Sequence, residues 1–110
     1  MIERHTPLDH IFSALADPTR RDMLRRLAER ERTISELAAP CDMSFAAASK
    51  HVRMLERAGL IRRTVRGRTH HCRLEPAPLA DAQAWLNFYE RFWSARLDAL
   101  EEMFRPGKKE

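Results

Sequence analysis

Between Ser44 and Leu74 the chain carries Lys50, Arg53, Arg57, Arg62, Arg63, Arg66, Arg68 and Arg73 against one carboxylate, Glu56. Eight cations and one anion leave +7 on this stretch, while the whole chain has a formal charge of +4, so the remainder is net acidic. Such segregation says more than the total. Cations gathered on one segment can neutralise a row of phosphates and release the counterions condensed there, which is a large part of the affinity for a nucleic acid. A solvated helix face, or an edge strand protected by charge, accounts for one or two of these arginines but not for the group.

The other residues able to do chemistry are the consecutive His70, His71 and Cys72, together with Cys41. Neighbours on a strand point to opposite faces, so His70 and Cys72 share one face and His71 takes the other. With Cys41 they could form a soft-metal or redox site; the plainer reading is a buried thiol and two surface imidazoles. Nothing here matches a nucleophile elbow, a phosphate-cradling glycine loop or an HExxH helix. Two of the three glycines, Gly59 and Gly67, have turns to form. The sequence calls for no catalytic residue, no metal and no cofactor.

The basic residues need elements to hold them. Leu8, Ile11, Phe12 and Leu15 recur at helical spacing and predict a helix over 8–15. Asp17 and Pro18 suit an N-cap and a first helical position, opening a second helix over 18–31 with Met23, Leu24, Leu27 and Ala28 inward and arginines opposite. Thr33-Ile34-Ser35-Glu36 has capping-box spacing, so a short third helix follows with Ile34, Leu37 and Ala38 inward, stopped near Pro40. After a turn over 40–43, Ser44 caps a fourth helix over 45–58 with Ala48, Val52 and Leu55 buried. Gly59 ends it in the left-handed region, and Leu60 packs back on the last turn. Strands over 61–65 and 69–74 flank a tip at Arg66-Gly67-Arg68. Pro76 and Pro78 end the hairpin, and a long helix runs over 79–104, with a break near its start as the alternative. The expectation is one domain over 1–110, mainly α with a small β-hairpin, in the order α-α-α-α-β-β-α. The polar segments 1–6 and 105–110 are expected to be poorly ordered.

The third and fourth helices, joined by four residues, have the helix-turn-helix pattern. In that arrangement the N-terminal half of the second helix enters the major groove. Ser49 and Lys50 are then placed to bond base edges, and Phe45 and Ala46 to touch a thymine methyl. Ser44 and the adjacent N–H groups can hold a phosphate, and His51 and Arg53 are assigned to further phosphates. Arg66 and Arg68 at the hairpin tip reach a flanking backbone or minor groove.

Six of the eight aromatic residues lie in the last helix: Trp85, Phe88, Tyr89, Phe92, Trp93 and Phe104. Leu86, Tyr89, Trp93, Leu97, Leu100 and Phe104 recur there at three- and four-residue spacing. That is more apolar surface than one helix needs against a small body. A dimer interface of Leu8, Ile11, Phe12, Leu15, Trp85, Tyr89, Trp93, Leu97 and Leu100 would cover it. A pocket for a small apolar effector and an ordinary intramolecular core are the other two readings.

Phe12 to Leu27 (FSALADPTRRDMLRRL), Ser35 to Ala38 (SELA), Ser49 to Ile61 (SKHVRMLERAGLI) and Gly67 to Leu74 (GRTHHCRL) stand in an order that resembles the ArsR-type winged-helix repressors across almost the full length. The resemblance implies a DNA-binding homodimer whose first and last helices pair across a two-fold axis, and repression, often of its own operon. The metal-sensing members carry a Cys-x-Cys pair on the third helix. Here Glu36-Leu37-Ala38-Ala39-Pro40-Cys41 holds one cysteine, and no histidine occurs in 85–104. The likeness is therefore to the non-metal-sensing subgroup with an aromatic last helix.

With 44% hydrophobic residues in 110, the chain can build one modest core that association would strengthen. Two cysteines do not make a disulfide framework, no leader is evident, and no apolar run approaches the ~20 residues that span a bilayer. The expected setting is the cytoplasm, the expected partners double-stranded DNA and a second copy, with no membrane. A winged-helix module that binds protein rather than DNA, and a redox or metal sensor on a site foreign to the family, are the competing readings.

Overall fold

Capping side chains set where each of the first four α-helices starts. In a computed structural model, which describes residues 6–105, helix α1 (Pro7–Leu15) begins at Thr6. Thr6 Oγ1 accepts the Asp9 N–H at 3.3 Å, while the Asp9 carboxylate accepts the Thr6 N–H at 2.9 Å. Asp17 caps α2 (Pro18–Glu29) by accepting the Arg20 N–H at 3.1 Å, a bond that holds its carboxyl below the usual range. The expected box at Thr33 and Glu36 starts α3 (Ile34–Ala38), with reciprocal bonds of 3.1 and 2.9 Å. Ser44 starts α4 (Phe45–Arg57) by accepting the Ala47 N–H at 3.1 Å. Each cap satisfies donors that the first helical turn leaves without partners.

Between α3 and α4 the chain makes a 3₁₀ turn over Ala39–Cys41, and Asp42 takes a left-handed conformation with φ of 52°. The far end of α4 closes on a Schellman motif. Gly59 N–H bonds Glu56 O at 2.8 Å, Leu60 N–H bonds Leu55 O at 3.0 Å, and Gly59 has φ of 75°. This stop aims the chain straight into β2 (Ile61–Arg66). Residues 67–68 turn it into β3 (Thr69–Leu74), with Arg66 opposite Thr69 and a φ of 64° at Gly67. A positive φ at the first of two loop residues matches the right-handed twist of the paired strands.

The mainly helical fold with a hairpin is as expected, with several revisions. A two-residue strand, β1 (Arg32–Thr33), adds to the hairpin in the order β1-β3-β2, placing Arg32 opposite Cys72 and Thr33 opposite His71. The second helix stops at Glu29 because the chain must straighten to join that sheet. On α2 the inward residues are Met23, Leu24, Leu27 and also Arg26, whereas Ala28 is exposed. The long last helix is two: α5 (Ala77–Asn87) and α6 (Glu90–Phe104). Between them Phe88 and Tyr89 tighten to three-residue spacing, with Phe88 N–H on Trp85 O at 3.3 Å and Tyr89 N–H on Leu86 O at 2.9 Å. The aromatic rings at that break pack on one another, Trp85 on Tyr89 and Phe88 on Tyr89, each pair with centroids 4.9 Å apart. The expected poor order of 1–6 and 105–110 falls, apart from Thr6 and Arg105, outside the described residues.

One core joins α1 to α5 and the sheet, with Ile11, Met23, Leu27, Ile34, Leu37, Val52, Leu55, Leu60 and Cys72 almost fully enclosed. Each large side chain buried there contributes ~1.5–3 kcal/mol of transfer free energy. Ala82 ties α5 to this core, but α6 has no buried residue. The radius of gyration is 18.7 Å, against about 13 Å for a compact chain of this length, and the longest dimension is 67 Å. Helix α6 therefore projects from the body.

Gly59 is the position where a turn dictates the residue. A Cβ there would meet Pro78 Cγ at 3.4 Å and would also sit on a left-handed backbone. Gly59→Ala is expected to lower stability by about 1–2 kcal/mol, read as a lower urea midpoint with unchanged denaturant slope.

Candidate nucleic-acid interface

Ala48, Val52 and Leu55 turn one side of α4 into the core, and their burial decides what the opposite side presents. Ala46, Lys50, Arg53 and Arg57, at spacings of four, three and four, form one exposed stripe. Phe45, on the first turn beside it, is 52% exposed. Lys50, Arg53, Met54 and Arg57 line a shallow groove of about 270 Å³. Arg66, Gly67 and Arg68 are exposed at the hairpin tip.

Two residues expected on this face are elsewhere. Ser49 is only 8% exposed, because it lies on the flank of the helix that the fold covers. It is not available to bond a base edge. His51 turns toward the start of α2: its Nδ1 is 3.2 Å from Arg20 Nη1 and 4.0 Å from the Asp17 carboxylate. An imidazole engaged there, with its side chain 23% exposed, is not presented to a phosphate. Ser44, Phe45, Ala46, Lys50, Arg53, Arg66 and Arg68 are all exposed as expected, although the Ser44 hydroxyl already caps its own helix.

Arg63, counted in sequence among the free cations, is not free. Its guanidinium grips both oxygens of Glu56, Nε to Oε2 at 3.0 Å and Nη2 to Oε1 at 2.5 Å. A third contact joins Nη1 to His70 Nδ1 at 3.0 Å. The pairing with Glu56 raises the Arg63 pKa further, and it fastens the hairpin to α4. Arg62 lies 3.5 Å from Glu75 in an exposed pair. Among the described residues, Lys50, Arg53, Arg57, Arg66, Arg68 and Arg73 have no acidic partner, and they are the charge this region can offer to an anion.

Other arginines, missed as structural residues in the sequence, cap helix C-termini. Arg20 donates to Ala14 O at 2.8 Å and Ser13 O at 3.0 Å, and Arg21 donates to Leu15 O at 2.7 Å, at the end of α1. Arg32 Nε reaches Arg26 O on α2 at 3.0 Å. Arg26 crosses to α3, donating to Leu37 O at 3.0 Å and Glu36 O at 2.6 Å. Guanidinium donors are favoured there because the last carbonyls lack partners and carry the negative end of the helix dipole. Arg20, Arg21 and Arg32 follow the helix ends they cap, but charge counting does not distinguish them from a binding face, and Arg26 precedes the helix it caps and gave no such signal.

The sensor reading finds little support in geometry. Cys72 is fully buried, and burial pushes its thiol up to about 11, which makes a poor nucleophile or ligand. Among the described residues no group of three or more His, Cys, Asp or Glu side chains is placed to hold a metal ion. Among the described residues no helix is long and apolar enough to cross a membrane.

A second surface is apolar. Trp85, Tyr89, Trp93, Leu97 and Leu100 are each at least 37% exposed, so they are not an intramolecular core. Phe12 joins them edge-to-face, its ring 5.6 Å from Trp85. Leu8 and Leu15 are half-buried against the core. Ile11, also expected on this surface, is 1% exposed and belongs to the core, because it faces inward from α1. An open cleft of about 430 Å³ lined by Thr6, Leu8, Asp9, Phe12 and Trp85 adjoins this surface.

A helix-turn-helix domain family model matches residues 15–64, which hold α2 to α4 and the start of the hairpin. The chain is 33% identical over 95 residues to the HTH-type transcriptional regulator Rv2034 of Mycobacterium tuberculosis, spanning 86% of each chain. It is 29% identical over 85 residues to the transcriptional repressor SdpR of Bacillus subtilis, spanning 76% of this chain and 94% of that one. The crystal structure of an ArsR family transcriptional regulator, RHA00566, superposes with a TM-score of 0.76 at 41% identity, over 86% of this chain and 97% of the other.

A double-mutant cycle on Glu56→Gln and Arg63→Ala is expected to give a coupling of about 1–3 kcal/mol in urea unfolding, since a bidentate charged pair less than a third exposed is broken in either variant. A coupling near zero would mean that the hairpin is not fastened to α4 by this pair.

Proposed function

The chain belongs to the ArsR family of winged-helix transcriptional regulators, and on that premise we propose that it acts in the cytoplasm as a homodimeric repressor that grips an inverted-repeat operator with α4 and the β2–β3 wing. The family is one of DNA-binding regulators rather than catalysts. The observation that carries the reading is the set of acid-free cations on α4 and the hairpin, Lys50, Arg53, Arg57, Arg66, Arg68 and Arg73, held in a fixed relation by Glu56 and Arg63. In this reading α4 lies in the major groove, Lys50 bonds base edges, Ser44 and the first N–H groups of α4 meet a phosphate, and Arg53 meets another. Arg66 and Arg68 neutralise flanking phosphate. Repression is supported by the likeness to a transcriptional repressor.

The dimer is supported by α6. An apolar helix that buries nothing in its own protomer needs a cover, and a second copy of the same helix supplies one of matching chemistry. Leu8, Phe12, Leu15, Trp85, Tyr89, Trp93, Leu97 and Leu100 would line the contact. A small apolar effector, in this reading, would occupy the cleft beside Phe12 and Trp85, where it would touch α1 and α5.

Sedimentation of the purified protein at micromolar concentration is expected to give twice the chain mass, and replacing Trp93 and Leu97 with glutamate is expected to yield monomer or insoluble protein. A wild-type mass of one chain would remove the dimer from the proposal.

Titration on operator and scrambled duplexes across a salt series separates the two basic elements. Lys50→Ala is expected to cost ~1–3 kcal/mol on the operator and much less on scrambled DNA. Arg68→Ala is expected to weaken both alike and to flatten the log–log salt slope by about one unit per lost contact, counted in both half-sites. Half-sites about one helical turn apart, or a multiple of it, complete the expectation. Absence of any salt-dependent shift would favour the protein-binding module instead.

A further inference from the structure

Resting on the DNA-binding reading, we propose that α4 discriminates sequence by the C5-methyl group of pyrimidines: Phe45 and Ala46 contact thymine methyls in the major groove, Lys50 selects the adjacent guanine, and adenine is not read.

The argument is one of elimination on an exposed surface. The residues that α4 presents are Phe45, Ala46, Lys50, Arg53 and Arg57. Adenine is read bidentately in the major groove by a carboxamide, which donates to N7 and accepts from the N6 amino group, and α4 contains neither Asn nor Gln. Cytosine is read by an acceptor for its amino group. The only carboxylate on α4 is Glu56, and both of its oxygens are held by Arg63. Ser49, the one hydroxyl within the helix, is buried, and the Ser44 hydroxyl, which accepts the Ala47 N–H, is in this reading turned to a phosphate rather than a base. What remains is a pair of apolar side chains and cations. Their complements on base edges are the thymine methyl and the guanine O6 and N7 acceptors.

Phe45 supplies the positive side of the case. It is a large apolar side chain, 52% exposed, on the first turn of α4, beside a stripe that runs from Ala46 into three cations, Lys50, Arg53 and Arg57. The flanking charge fits a polyanion and disfavours an apolar protein partner at this spot. A methyl group displayed in the floor of the major groove offers an apolar contact within such a polyanion. The same logic makes 5-methylcytosine an acceptable substitute for thymine at these positions, because it presents the methyl at the same ring atom.

The test starts from the duplex this protein selects out of a random library. Thymines of the half-site are replaced one at a time by uracil, which removes the methyl and nothing else from the groove edge. At one or two positions per half-site, uracil is expected to weaken binding about fourfold, and about fifteenfold when both half-sites are changed. Replacement by 7-deazaguanine at the adjacent guanine weakens binding, while 7-deazaadenine elsewhere in the half-site does not. Phe45→Ala, checked for folding by its thermal unfolding, is expected to lose the thymine–uracil discrimination at the position that faces Phe45, leaving discrimination only at a position that faces Ala46. The proposal is overturned if uracil duplexes bind as tightly as thymine duplexes, or if Phe45→Ala keeps the wild-type discrimination at every position. Failure of the wild-type protein to bind random duplex even at low salt would instead strike the broader DNA-binding reading, and this proposal with it.

Discussion

Glu56 is the single carboxylate among the cations of 44–74, and its two-pronged pairing with Arg63 governs how the basic half of the chain is arranged. The pair spans from the last turn of α4 to the middle of β2, across the Schellman turn at Gly59. That turn sets the direction of the hairpin, and the salt bridge holds its angle. His70 on β3 completes the junction through Arg63 Nη1, a contact that is a hydrogen bond when Nδ1 carries the lone pair and the ring proton sits on Nε2. With one side chain less than a third exposed on each side, the pair is better shielded from salt than a surface bridge. The remaining cations of α4 and of the wing are thereby presented as a rigid set.

Arginine has two distinct duties in this chain. Arg20, Arg21, Arg26 and Arg32 fold back on the C-termini of α1, α3 and α2, where several N–H donors on one planar group can meet more than one orphan carbonyl. These contacts fix the angles between the first three helices and so the seat of α4. The exposed arginines of α4 and the hairpin have no such carbonyls within reach. The same residue type is structural where a helix end faces it and available for phosphate where only water does.

The apolar problem is solved in two places. The core from Ile11 to Ala82 holds α1 to α5 and the sheet together, yet α6 stands outside it with Trp93, Leu97 and Leu100 largely exposed. An isolated helix of 15 residues is marginal in water, so α6 depends on further contacts for its stability. Arg91 shields part of this surface by stacking over Phe88 and Phe92, with its guanidinium carbon 5.6 and 4.9 Å from the two ring centres. Leu97 and Leu100 are still largely open to solvent.

Local signals in the sequence determined most of the architecture. The caps at Asp17, Thr33 and Ser44, the stop at Gly59, the hairpin tip at Gly67 and the buried stripe of α4 all follow from backbone chemistry or helical period, which act over a few residues. The charge segregation over 44–74 was equally legible, because it needs only counting. Tertiary structure alone decided which members of that set are free. Arg63 is neutralised by a residue seven positions away across a turn, His51 is drawn to Arg20 and Asp17 from another helix, and Ser49 is covered although its period placed it near the exposed edge. Arg26 became a buried cap and Ile11 a core residue for the same reason. Burial and pairing depend on what the rest of the chain brings alongside, and that is a property of packing between distant segments rather than of spacing within one.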